Sequence, residues 1–124
     1  MNLKLACFLF LSFPLIAQGV LVIDVRTTQE WQSGHLEEAM HIEWQDILSI
    51  SESVSKDKEI YLYCRSGNRS GKATKILIDA GYINAINAGS IQEASNLLNQ
   101  KLSSNSFIYI YSMLSNVYYE YLKM

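Results

Sequence analysis

The stretch from Ile60 to Gly81 constrains the fold more than any other part of the chain. Ile60-Tyr61-Leu62-Tyr63 is a short apolar run that reads as a strand. A polar, glycine-containing loop follows it, Cys64-Arg65-Ser66-Gly67-Asn68-Arg69-Ser70. Asn68 to Ala80 then reads as a helix, because Ala73, Ile76, Leu77 and Ala80 recur at i, i+3, i+4 and i+7. Gly81 stands where a left-handed residue closes a helix. A strand that passes through a tight loop straight into a helix belongs in an α/β protein.

The flanking segments extend the pattern. Val20-Leu21-Val22-Ile23 is a continuous β-branched run, as in a central parallel strand buried on both faces. Thr27 or Thr28 caps a short helix that continues through Trp31. Ser33-Gly34-His35 reads as a turn, Ala39 to Ile42 as a short strand, and Trp44 to Ile50 as a brief helix. Ser51 to Glu59 is a polar connection. Ile83 to Asn87 reads as a strand, Ala88-Gly89-Ser90 as a turn, and Gln92 to Leu102 as a helix. Strands alternating with helices imply a small parallel sheet flanked by helices, joined by right-handed crossovers.

A chain of 124 residues, 49% of them hydrophobic, holds one domain with a small core. The net charge of −2, with no stripe or block of Lys and Arg, excludes nucleic-acid binding. Residues 1–19 read as a secretory signal: Lys4, then an apolar stretch from Leu5 to Ile16 too short to span a bilayer, then the small residues of Ala17-Gln18-Gly19. The expected location is therefore the periplasm, reached by secretion across the inner membrane. Cys7 is no lipid-attachment site, because Lys4 occupies the position where an aliphatic residue is required. With the signal removed, Cys64 is the one remaining cysteine, which flags a reactive or intermolecular thiol. Residues 20–102 form the expected domain. Residues 103–124 form an aromatic tail with five of the eight tyrosines, compatible with a helix or a strand and of no assigned role. Its length and its tyrosines disfavour membrane contact.

The three arginines fall in two motifs, Asp24-Val25-Arg26 and the Cys64–Ser70 loop. Both motifs follow apolar strands, so both belong on the carboxyl rim of the sheet, where α/β proteins bind ligands. Successive N–H groups of a loop entering a helix can form an anion-binding nest. The same field draws a thiol pKa down from about 8.5. A thiolate beside an anion pocket implies sulfur attack on a negatively charged substrate. Arg69 follows Cys64 after four residues, one fewer than in the cysteine phosphatases, so a sulfur oxyanion fits better than a phosphate ester. Asp24 and Arg26 are read as ordering the rim through an ion pair. His35 is read as fixing a turn, Trp31 and Trp44 as core or cover residues. His35 and His41 with one cysteine make no metal site.

Taken in order, Ile23-Asp24-Val25-Arg26, Glu30-Trp31 with Gly34-His35-Leu36-Glu37 and Ala39, Tyr63-Cys64 through Ser70-Gly71, Ala80-Gly81-Tyr82 and Asn87-Ala88-Gly89 resemble the single-domain rhodaneses (thiosulfate sulfurtransferases), above all the small periplasmic phage-shock type. The resemblance covers roughly residues 20–100. It implies that Cys64 takes the outer sulfur of thiosulfate as a persulfide and passes it to cyanide or a thiol, with no cofactor. It implies that Arg69 and Arg65 hold the sulfonate, and that N–H groups of Arg65, Ser66, Gly67, Asn68 and Arg69 stabilise the sulfur anion. The rival readings are a catalytically idle sulfur carrier or partner-binding module, and a phosphatase or arsenate reductase. Two positions depart from the family pattern: Ser90 replaces a usual Gly and Glu43 a usual Pro. Each puts a turn geometry in question.

Overall fold

The computed structural model describes residues 19–103, 118 and 120–123. The expected signal, apart from Gly19, and most of the expected tail lie outside them. The strands are β1 (Leu21–Asp24), β2 (His35–Leu36), β3 (Met40–His41), β4 (Ile60–Cys64), β5 (Ala85–Ser90) and β6 (Leu102–Ser103). The helices are α1 (Thr28–Gln32), α2 (Asn68–Asp79) and α3 (Ile91–Leu98), with a 3-10 segment over Trp44–Glu52. Four strands form one parallel sheet in the order β3-β1-β4-β5.

Adjacent side chains of a strand point to opposite faces, and the two cores follow from that. Ile23, Ile60, Leu62 and Cys64 face one side, where Ile47 and Ile50 of the 3-10 segment and Ala73 and Leu77 of α2 cover them. Val22 and Tyr63 face the other side, against Leu36, Ala88 and Ala94 of α3. Each large aliphatic sealed this way contributes about 1.5–3 kcal/mol. The apolar runs of β1 and β4 thus belong to the two central strands, covered on both faces. Tyr63 also fixes β2, since its hydroxyl accepts a 3.0 Å bond from Leu36 N.

Four local expectations are corrected. His35 does not end in a turn: with Leu36 it forms β2, which pairs antiparallel with β6. The helix expected over Gln92–Leu102 stops at Leu98, because Asn99 takes a left-handed conformation at φ 51°. Leu102 then pairs with Leu36 in β6. The strand expected over Ile83–Asn87 lies at Ala85–Ser90, with Tyr82 buried in the turn before it. Ala88 to Ser90 is not a turn but the end of β5. The register passes from Leu62↔Asn87 to Tyr63↔Gly89, so Ala88 is the extra residue of a β-bulge.

Candidate active site

β4 ends at Cys64, and the chain turns at once into α2. Gly67 makes the turn at φ 86°, a conformation that favours glycine, and a Cβ there would lie 3.3 Å from Gly89 Cα. The loop and the β5–α3 corner therefore touch through two glycines. This curl aims donors at the sulfur. Cys64 Sγ accepts from Gly67 N at 3.0 Å, Ser70 N at 3.5 Å and Ser70 Oγ at 3.3 Å. Burial pushes the thiol up, but the Ser70 hydroxyl and the N–H groups of Ser70, Ser66 and Gly67 outweigh it, so Cys64 ionises below its ordinary value.

The polar composition of the loop argues for an accessible thiol. The structure differs: Cys64 is 0% exposed, and its side chain belongs to the core under α2. The strand direction explains this. Cys64 continues the inward-facing row of Ile60 and Leu62, and the loop closes over its sulfur. Reagents reach it only if the loop gives way.

The other residues singled out from the sequence fall around this nest. Arg65, Ser66 and Asn68 are exposed at its outer edge. Arg69 is tied elsewhere: Nη1 donates to Glu30 Oε2 at 2.7 Å and Nη2 to Glu30 Oε1 at 2.9 Å. Glu30 is itself held, because Oε2 also accepts from Thr27 N at 3.0 Å and Thr27 Oγ1 at 3.1 Å in the capping box of α1. The Arg69 guanidinium, with these N–H donors, lowers the Glu30 carboxyl to about 2. Two of the guanidinium's hydrogens are used, and others remain for an anion.

Asp24 lies beside Tyr63 on the neighbouring strand, so the two motifs share one rim. Asp24 is fully buried and accepts from Arg26 Nη2 at 2.6 Å and from Arg26 N at 2.9 Å. Arg26 Nη2 also donates to Gly34 O at 2.7 Å. Nε and Nη2 of the guanidinium are thereby engaged at the β1 corner and the turn before β2. His35 Nδ1 lies 3.0 Å from Trp31 O, with the imidazole stacked on the indole at 3.4 Å.

Sequence reasoning missed two contributors. One is Glu30, whose partner lies far along the chain. The other is Asn87, which donates from Nδ2 to Gly67 O at 3.0 Å and accepts at Oδ1 from Ser70 Oγ at 2.7 Å and Gly89 N at 3.0 Å. Both stand in the segments that carry the family resemblance, which was the available signal.

Comparison with known proteins agrees with this geometry. Residues 14–97 match the family model of the rhodanese-like domain. The chain is 32% identical over 91 residues to the thiosulfate sulfurtransferase PspE of Escherichia coli K12, spanning 72% of this chain and 86% of that protein. It is 31% identical over 65 residues to the thiosulfate sulfurtransferase GlpE of Pseudomonas savastanoi, spanning 52% of this chain and 61% of that one. A solved E. coli rhodanese with anions superposes with a TM-score of 0.56 at 28% identity, covering 60% of this chain and 91% of that one. A parallel sheet carrying a cysteine nest at its carboxyl rim, a family match across most of the chain and these sulfurtransferase relatives together show that the chain belongs to the rhodanese-like family.

Proposed function

We propose that the protein is a thiosulfate sulfurtransferase in which Cys64 is the nucleophile. The observation that carries this is the ring of donors on Cys64 Sγ from Gly67 and Ser70. It stabilises a sulfur anion without a general base. The Cys64 thiolate attacks the outer sulfur of thiosulfate, the S–S bond of thiosulfate breaks, and sulfite leaves with the electron pair. The Cys64 persulfide anion then gives its outer sulfur to cyanide, yielding thiocyanate, or to a thiol, yielding that thiol's persulfide. Either step restores the thiolate. The exposed Arg65 and the uncommitted hydrogens of Arg69 supply donors for the sulfonate oxygens. The name of the E. coli relative supports the choice of donor. The short spacing from Cys64 to Arg69 favours a sulfur oxyanion over a phosphate ester.

The test is thiocyanate formation from thiosulfate and cyanide. Cys64→Ser should abolish it, because a hydroxyl is not ionised at neutral pH and forms no persulfide. The wild-type protein after thiosulfate alone should gain the mass of one sulfur atom. Substantial turnover by the serine variant refutes the assignment.

The complete burial of Cys64 favours a second reading, a carrier that stores a shielded persulfide without turning over. Single-turnover loading followed by no catalytic release distinguishes it. We further propose, from the Lys4, Leu5–Ile16 and Ala17-Gln18-Gly19 pattern, that the chain is exported to the periplasm. N-terminal sequencing of the mature protein should then begin at Val20, and an intact Met1 in the cytoplasmic fraction refutes export.

A further inference from the structure

The Ser70 hydroxyl carries one proton and has two acceptors within reach. Cys64 Sγ lies 3.3 Å from Oγ and Asn87 Oδ1 lies 2.7 Å from it. The shorter contact is at the preferred distance for O–H···O. The amide orientation of Asn87 is fixed by its other bonds, since Gly67 O needs a donor and Gly89 N an acceptor. Asn87 Oδ1 therefore faces Ser70 as an acceptor alone. Ser70 and Cys64 are fully buried, whereas Asn87 is exposed and its amide is held beside Ser70 by the bonds to Gly67 and Gly89.

We propose that Asn87 is a positioning residue that competes with Cys64 Sγ for the Ser70 proton and so governs how readily the thiol ionises. This rests on the reading of Cys64 as nucleophile. In the thiol state the S–H points to Ser70 Oγ, and the Ser70 hydroxyl donates to Asn87 Oδ1. On ionisation the thiol proton departs to solvent and the Ser70 hydroxyl turns to the sulfur. Asn87 Oδ1 keeps its bond from Gly89 N, so the acceptor stays paired. The N–H groups of Gly67 and Ser70 favour the thiolate, and Asn87 restrains it. The restraint matters because a thiolate loses nucleophilicity as its pKa falls.

Asn87→Ala and Ser70→Ala alter none of the charged groups on the elements packed around the loop. These groups are Arg69 with Glu30 of α1, exposed Arg65, the Asp24–Arg26 pair at the end of β1 with His41 of β3 on Arg26 O, Glu93 on α3 and Lys72 of α2 over Trp44.

The experiment is the pH dependence of Cys64 alkylation by iodoacetamide, which needs no sulfur transfer and so is independent of the reaction assigned above. Asn87→Ala frees the Ser70 proton for sulfur, and the midpoint should move down by roughly half to one pH unit, a three- to tenfold change in thiolate ratio. Ser70→Ala should move it up. In the Ser70→Ala background, Asn87→Ala should lose its downward effect. If Asn87→Ala does not fold, Asn87→Asp replaces it: its stronger acceptor should raise the midpoint, and that rise should shrink in the Ser70→Ala background. A residue that merely braces the loop gives the opposite pattern. Asn87→Ala then raises the midpoint by loosening Gly67, equally in both backgrounds, and that result overturns the proposal.

Discussion

Glu30→Gln tests whether the ion pair across the loop is an energetic part of the site. The pair is bidentate, at 2.7 and 2.9 Å, and both side chains are more than two-thirds covered. Arg69, with the N–H and hydroxyl of Thr27, holds the Glu30 carboxyl at about 2 against an ordinary 4.5. At about 1.4 kcal/mol per pKa unit the ceiling is about 3 kcal/mol. Solvent screening at a part-exposed site lowers this, and glutamine keeps an acceptor for Thr27 N. The expected loss is therefore about 1 kcal/mol at neutral pH. The sign follows from the lowered carboxyl: its stabilisation is present above 4.5 and is lost as pH falls toward 2. Urea unfolding of wild type and Glu30→Gln should show a gap at pH 7 that closes between pH 4.5 and 2. Other carboxylates titrate alike in both proteins and cancel. A gap that is absent at pH 7, or that does not close in acid, refutes the reasoning. So does a double-mutant cycle with Arg69→Met that shows no coupling.

Two further changes probe the frame of the site. Arg26→Met leaves the fully buried Asp24 carboxylate without its ion-pair partner and should cost about 3–5 kcal/mol in urea unfolding, with most of it recovered in the Asp24→Asn, Arg26→Met double variant; a cost below about 1 kcal/mol would show that the pair does not hold the rim. Gly89→Ala should cost at least about 1 kcal/mol, because φ is 82° and the new Cβ would collide with the Glu93 carboxylate that caps Ser90; stability equal to wild type would mean that the bulge relaxes freely.

What could be read from the sequence was what local pattern encodes. The runs at β1 and β4 announce strands covered on both faces, and α2 announces itself by its spacing and by Gly81. What could not be read depends on pairing at a distance. Two residues each make β2 and β6, too few for a period. The bulge at Ala88 exists because β5 must pair with β4 up to Cys64. Glu30 meets Arg69 across 39 positions, and only the fold shows that its carboxylate serves a capping box and an ion pair together. The burial of Cys64 was missed for the opposite reason. A loop of polar residues suggests exposure, yet the inward parity of Ile60, Leu62 and Cys64 decides where the sulfur points.

The two departures from the family pattern show how a position tolerates exchange when another interaction supplies the geometry. Glu43 sits at φ −58°, close to the angle proline would impose, and its carboxylate accepts from Thr28 N at 3.2 Å. The turn into the 3-10 segment is thus held by a side-chain bond instead of a ring. Ser90 stands at φ −73°, where glycine's freedom is not required. Its hydroxyl accepts from Glu93 N at 3.2 Å, and its own N–H donates to Glu93 Oε2 at 2.7 Å, completing the capping box of α3. That box places the Glu93 carboxylate where a Cβ on Gly89 would be. Glycine at 89 is required first by its φ of 82°, and the cap on Ser90 adds a carboxylate that a side chain there would have to displace. The corner keeps its shape, and with it the contact of Gly89 on Gly67 that closes the nest over Cys64.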